Sequence, residues 1–273
     1  MRILVTGGAG YVGAVSVDAI VAAGHDVVVL ERTGRIGGQV WLAGRAPGHS
    51  ELAASLVANY ETLLDRPNVE LRLDTEADPD AIAALEPDLV VLATGARPAP
   101  ARQPLAGIEV AHVWDVLAGA RPAGRILIAD WGGDPAALDC AELLAADGRE
   151  VTLAVGAVMP GETLHQYTRN QYIARLSRAG VRIAHYLGLA SAADGNVRFR
   201  NIFAPELETS IEADALLVAL GRVPDDALAH VLRERGGPVV EEAGDCRSPR
   251  SIEEAVLEGT LAARRPVPAR VAA

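Results

Sequence analysis

The sequence predicts an α/β fold in which parallel strands are covered by helices. Two observations carry this. Short β-branched or apolar runs alternate with helical stretches along most of the chain, as parallel strands joined by helical crossovers require. The strand, glycine turn, helix and strand of Met1–Glu31 are then followed by a second unit of similar outline that begins at Arg125.

Arg2-Ile3-Leu4-Val5-Thr6 suits a buried strand. Gly8-Ala9-Gly10-Tyr11-Val12-Gly13 follows it as G-x-G-x-x-G. In this arrangement Gly8 serves the tight turn, Gly10 the close approach of backbone to a pyrophosphate, and Gly13 the packing of helix on strand. The start of the helix, at Tyr11 and Val12, offers free N–H groups and a partial positive charge to phosphates. An apolar helical run reaches Ala23, and Gly24 stops it. Val27–Leu30 is the second strand, and Glu31 ends it where a carboxylate can accept hydrogen bonds from an adenosine ribose. The ordered set points to a dinucleotide or ADP; the alternative is a glycine-rich turn in an ordinary α/β core.

Composition narrows the function further. The chain has 273 residues with a formal net charge of −11, which disfavours nucleic acid or an anionic membrane as partner. No apolar run approaches the length of a membrane span, and Asp18 interrupts the one stretch that resembles a signal peptide. The cytoplasm is therefore the expected compartment. Cys140 and Cys246 form no C-x-x-C pair, which leaves dithiol chemistry and a cysteine-ligated cluster within this chain unsupported. All 25 basic residues are arginines. That excludes a P-loop lysine, a Schiff-base lysine and a Tyr-x-x-x-Lys pair.

Beyond Glu31 come Arg32 and then Gly37-Gly38-Gln39, an acid at a strand end followed shortly by paired glycines. Ala46-Pro47-Gly48 breaks the chain, and Ser50 is the expected cap of a helix to about Leu64. Val69–Leu73 reads as a strand and Asp78–Leu85 as a short helix. Asp88–Ala93 reads as a buried strand closing on Thr94-Gly95-Ala96-Arg97-Pro98. Pro98–Pro122 reads as a proline-rich crossing. In the second unit Arg125–Ala129 is a strand, Pro135–Ala146 a helix and Val151–Val155 a strand. Gly161–Arg182 is a loop leading into a helix over Thr168–Ala179, with His165, Tyr167 and Arg169 at its solvated start. Asn196–Phe203 and Thr209–Ile211 are short strands, and Asp214–Ala219 is a buried strand ending in Gly221-Arg222-Val223-Pro224. A closing helix spans Ser251–Ala263, and Pro266–Ala273 is an expected frayed tail.

Glu31 with Gly37-Gly38-Gln39, Ala46-Pro47-Gly48, Ala93–Pro98, Ala243-Gly244-Asp245-Cys246, Pro249–Ala255 and Glu258-Gly259 together resemble the two-dinucleotide-binding-domain flavoproteins. Within these they resemble the corresponding region of the NADH:flavin oxidoreductases of the trimethylamine dehydrogenase and 2,4-dienoyl-CoA reductase type. The resemblance implies two Rossmann-like three-layer domains, the second inserted into the first: 1–118 plus 213–273 for the cofactor, and 119–212 for a degenerate NAD(P)-binding-like domain. It implies FAD, or ADP alone, held by Gly8, Gly10, Tyr11, Val12, Gly13, Glu31, Arg32, Gly38, Gln39, Ala77, Thr94, Gly95, Gly244 and Asp245. Asp245 is the expected ribityl contact, with the following helix aimed at the flavin.

The second unit departs from the family pattern. Asp130 and Pro135 stand where the first and last fingerprint glycines belong, Asp134 adds a further acid, and Ala154-Val155-Gly156 carries neither acid nor arginine for a ribose. NAD(P)H is therefore not expected there. No catalytic acid–base pair, nucleophile or metal site emerges, and a flavin needs none. The resembled enzymes also carry an FMN barrel and an iron–sulfur cluster, so the expected partner is a barrel subunit or electron acceptor, with this chain a split subunit of an amine N-demethylase or ene-reductase system. Two alternatives stay open. One is a non-catalytic ADP-binding subunit. The other is an epimerase-like NAD enzyme, whose opening Thr6–Gly13 resembles, although Tyr167-Thr168-Arg169-Asn170-Gln171 has glutamine in the lysine position.

Overall fold

The computed structural model describes residues 1–7, 10–131, 133 and 135–265. In chain order the elements are β1 (Arg2–Thr6), α1 (Tyr11–Ala22), β2 (Asp26–Leu30), α2 (Val40–Ala43), α3 (Ser50–Leu64), β3 (Val69–Arg72), α4 (Pro79–Ala84), β4 (Leu89–Leu92), β5 (Ala96–Pro98), β6 (Glu109–His112), α5 (Val113–Ala118), β7 (Arg125–Asp130), α6 (Pro135–Ala146) and β8 (Glu150–Val155). There follow α7 (Gln166–Arg178), β9 (Arg182–Ala184), β10 (Leu187–Ala193), β11 (Asn196–Asn201), β12 (Glu208–Glu212), β13 (Ala215–Ala219), β14 (Arg222–Pro224), α8 (Ala227–Arg235), β15 (Val239–Glu242) and α9 (Ile252–Ala263). β5 and β14 pair as a two-stranded ribbon.

The chain divides into two compact units: 1–41 with 51–97 and 223–273, and 42–50 with 98–222. The boundaries expected at 118/119 and 212/213 therefore move to 97/98 and 222/223. The reason is β6, which pairs in parallel with β13 of the second unit, and α5, whose Val113 and Val116 lie in that unit's core. An edge strand reading Glu-Val-Ala-His carries too little apolar pattern to stand out from the proline-rich crossing.

The first unit is built on a parallel sheet in the order β15-β4-β1-β2-β3. Each central strand is buried on both faces, so its sequence is continuously apolar rather than alternating. Ile3, Val5, Val27, Val29, Leu89 and Val91 pack with Val17 and Ile20 of α1 and Ala262 of α9. On the other face Leu4, Val28, Leu30, Val90 and Leu92 pack with Ile82 of α4 and Ala229 and Leu232 of α8. Asp78 caps α4, its carboxylate accepting from the N–H of Asp80 and Ala81. Ser50, expected as a cap, is the first residue within α3.

The second unit has a parallel sheet in the order β6-β13-β7-β8-β9. Helices α5, α6 and α7 cover one face. The other is covered by an antiparallel sheet β10-β11-β12, through Leu187, Val197 and Phe199. Helices on both faces hold for the first unit only. The sequence shows why: Val197 and Phe199 alternate with exposed Asn196, Arg198 and Arg200, the period of a half-buried strand. Among the described residues no helix is long and apolar enough to cross a membrane.

Candidate dinucleotide-binding site of the first unit

The candidate residues converge at the carboxyl edge of the first sheet. β2 and β3 lie to one side of β1, β4 and β15 to the other, so the crevice beyond β1 and β4 is a point where strand order reverses. Open α/β sheets bind ligands at such points.

Gly7 makes the turn out of β1. Its φ is +64°, its N–H donates to the Leu30 carbonyl at 3.0 Å, and its carbonyl accepts from the Gly10 N–H at 3.0 Å. A Cβ there would strike the Ala93 carbonyl, lying 2.7 Å from its carbon. The tight turn assigned to Gly8 thus falls partly on Gly7, while Gly8 lies outside the described residues. Gly10 precedes α1 with extended backbone, and α1 starts at Tyr11 with no acidic residue in its first turn. Gly13 is buried in that helix. Val12 packs against α9: a Cβ at Gly259 would lie 3.1 Å from Val12 Cγ1 and 2.8 Å from Ser16 Oγ.

Glu31 is buried at the end of β2, and its Oε1 accepts from the Thr33 N–H at 2.9 Å and the Thr33 hydroxyl at 2.8 Å. Arg32 points outward, 3.9 Å from Asp225. Gly38, at φ +50°, brings its Cβ direction within 3.5 Å of Gly10 Cα. Gln39 lies between Gly95 and Asp245: its Nε2 would be 3.3 Å from a Cβ on Gly95 and donates to Asp245 Oδ2 at 3.5 Å. The Thr94 hydroxyl donates to the Asp225 carbonyl at 2.6 Å. Gly10, Gly38, Gln39, Gly95 and Asp245 are therefore neighbours, although they span more than two hundred residues of sequence. Ala77 packs against the core cluster of Leu4, Leu30 and Ile82.

Gly244, at φ +74°, and Asp245 form a tight 3-10 turn. This turn is pinned by a residue the sequence did not single out for a role. Glu258 of α9 is buried, accepts from the Gly244 N–H at 2.9 Å, and pairs with Arg250 and, at 3.5 Å, Arg247. The Arg250 N–H in turn donates to Asp245 Oδ1 at 3.2 Å. The helix expected to aim at a flavin is α9. α9 starts at Ile252, and its N-terminus is closed by a Ser251–Glu254 capping box with Glu253 beside it. Ser251 holds the Glu254 carboxyl below the usual carboxylate range. Those acids already answer the positive end of the helix.

Burial of the Thr6 hydroxyl at the carboxyl end of β1, with no hydrogen-bond partner among the described residues, is a further mark of this edge. Cys246 is buried, its Sγ 3.0 Å from the Leu92 carbonyl, and burial pushes its thiol pKa up. Cys140 is buried and pushed up likewise, so both are neutral free thiols. His165 and Tyr167 stand at the start of α7 with ring centroids 5.3 Å apart, Tyr167 exposed.

The matching end of the second unit is built differently. Asp130 is buried at the end of β7 and accepts from the Gly133 N–H at 2.9 Å. A Cβ on Gly156, at the end of β8, would collide with the Trp131 ring. Asp134 lies outside the described residues.

Residues 4–250 match the family described as pyridine nucleotide-disulphide oxidoreductase. The chain belongs to this family. A curated relative, the N,N-dimethylglycine/sarcosine dehydrogenase of Chromohalobacter salexigens, is 30% identical over 94% of this chain and 42% of its own length. Among solved structures, histamine dehydrogenase from Rhizobium sp. 4-9 superposes with TM-score 0.87 at 25% identity, covering 96% of this chain and 43% of its own. The 6-hydroxypseudooxynicotine amine oxidase of Pseudomonas geniculata N1 also gives 0.87, at 27% identity, over 97% and 41%. The chain thus spans about two-fifths of the length of these relatives. The relatives are oxidoreductases, and the family supports FAD binding.

Proposed function

We propose that the first unit binds FAD and that the chain is the FAD-carrying redox component of a flavin oxidoreductase system of the trimethylamine dehydrogenase and 2,4-dienoyl-CoA reductase type. One observation carries the reading: Gly10, Gly38, Gln39, Gly95 and Asp245 meet at the strand-order reversal of a parallel sheet, with Glu31 buried at the end of the neighbouring β2. They fit a dinucleotide. Gly38 comes close to Gly10 with no side chain on either, α1 has N–H groups with no side-chain cap to offer phosphates, and the buried Glu31, its orientation held by Thr33, is the acceptor for ribose hydroxyls. Asp245, fixed through Arg250 and Gln39, accepts from the ribityl chain. The flavin itself supplies hydride and electron transfer when bound.

The second unit does not take a nicotinamide dinucleotide on this reading. Asp130 already uses the Gly133 N–H, and the indole of Trp131 covers the end of β8 where an adenosine ribose would lie. Reducing equivalents then come from a partner, a flavin barrel with an iron–sulfur cluster, and the chain serves in the cytoplasm as a split subunit of an amine N-demethylase-like system. The experiment is release and mass spectrometry of the bound small molecule, joined to co-purification. FAD with a barrel protein supports the whole reading. ADP alone would leave a structural subunit, NAD alone an epimerase-like enzyme, and FAD with no partner would remove the split-subunit part.

A further inference from the structure

The second unit holds a cleft of about 880 Å³ that the flavin reading does not use. That is the size of a small-molecule site. Its lining includes the apolar Leu187, Ile202 and Leu220. Its wall at the carboxyl end of β7 is the indole of Trp131, which is 59% exposed in a chain that keeps most of its aromatic rings covered. A ring this large left open costs hydrophobic burial, and the cleft is what it opens on.

Part of the lining is cationic, with Arg102, Arg198 and Arg200. Arg200 is paired with Glu208 at 3.2 Å. Arg102 and Arg198 have no carboxylate partner among the described residues, although acids outnumber bases by 36 to 25 in the sequence. Arg198 stands on the outer side of β11, with the core residues Val197 and Phe199 on either side of it in sequence, so its direction is fixed by the strand pleat.

An exposed aromatic face, two guanidinium groups without acid partners and apolar side chains lining one cleft define a ligand by chemistry. We propose that this cleft binds a planar aromatic carboxylate, its ring against Trp131 and its carboxylate on Arg198 and Arg102. A dinucleotide fits the same walls less well. Its phosphates would meet the buried Asp130, which already accepts from the Gly133 N–H, and Trp131 already lies over Gly156. The inference is independent of what the first unit binds.

The test is calorimetric titration of the full chain, with its native cofactor in place, using indole carboxylate, the neutral indole carboxamide, AMP and NADH. Saturable binding of the carboxylate in the millimolar range or tighter is expected, with the amide about tenfold weaker because it lacks the charge that the guanidinium groups bind. The double variant Arg102→Ala with Arg198→Ala should weaken the carboxylate about tenfold and leave the amide unchanged. Trp131→Leu should weaken both about tenfold, since stacking acts on the ring and not on the charge. Unchanged cofactor absorbance and circular dichroism establish that each variant is folded; should Trp131→Leu fail this check, Trp131→Phe takes its place, with a smaller loss of the same kind. Absence of saturable binding, equal binding of acid and amide, indifference to these variants, or tighter binding of AMP or NADH would each overturn the assignment.

Discussion

Gly7→Ala isolates the geometry on which the first unit depends. At φ +64° an alanine pays the left-handed backbone penalty, about 1–2 kcal/mol. Its methyl group would also press on the Ala93 carbonyl, with the Ala93 carbon at 2.7 Å and the Thr94 nitrogen at 3.1 Å. Neither side can yield easily, because the Gly7 N–H is bonded to Leu30 and the Ala93 N–H to the Thr6 carbonyl. Overpacking of this kind adds about 1–3 kcal/mol, for a total of about 2–5 kcal/mol. Gly24→Ala is the control: φ is +81°, and a Cβ there meets nothing within 4 Å. It should cost only the backbone part, about 1–2 kcal/mol. Urea unfolding followed by far-ultraviolet circular dichroism measures both, and flavin absorbance per mole of protein reports the crevice. Gly7→Ala should lose cofactor as well as stability, and Gly24→Ala should keep its cofactor. Equal destabilisation of the two variants, with equal cofactor content, would refute the claim that contact between the β1 turn and the β4 loop shapes the site.

Glu31→Gln keeps the shape but removes the charge, so FAD affinity should fall by about 1.5–3 kcal/mol, or roughly ten- to hundredfold, read by fluorescence titration of the apoprotein; ADP affinity should fall in parallel. Glu258→Ala leaves the Gly244 N–H and Arg250 without their acceptor and should cost about 2–3 kcal/mol with loss of cofactor, while Glu258→Gln should retain most of both, measured by the same unfolding and absorbance assays. Asp139, buried in the second unit, has its pKa pushed up to about 6 by burial, offset in part by the Tyr172 hydroxyl donating to it at 2.6 Å. The folded state then binds the proton more tightly than the unfolded one, so stability falls as pH rises from about 4 to about 6 and levels off above that, a loss on the order of 3 kcal/mol. Asp139→Asn should abolish that slope and match or exceed the parent stability at neutral pH; a slope that survives the substitution would assign it to another group.

The elements with strong local patterns were legible in the chain. Arg2–Thr6, Asp26–Leu30 and Leu89–Leu92 each hold an unbroken run of at least three apolar residues, and α6 and α9 fall within a residue of their expected ends. Glu31 and Asp245 were visible too, because a strand end or a Gly-Asp pair is a local signal. β6, α5, β10, α8 and β15 carry no comparable local signal, since short or edge elements are stabilised by neighbours that lie far away in sequence. The sheet order β15-β4-β1-β2-β3 places Gly10, Gly38, Gln39, Gly95 and Asp245 together, and no spacing rule encodes that. Gly7 shows its role only against the Ala93 carbonyl, and Glu258 only against the Gly244 N–H. Local sequence determined which segments could be strands, turns and caps, because backbone conformation responds to residues a few positions away. Tertiary structure decided which carboxylates are buried, which indole covers which glycine and which arginines lack an acid, because burial and pairing depend on groups that meet only after the sheets assemble.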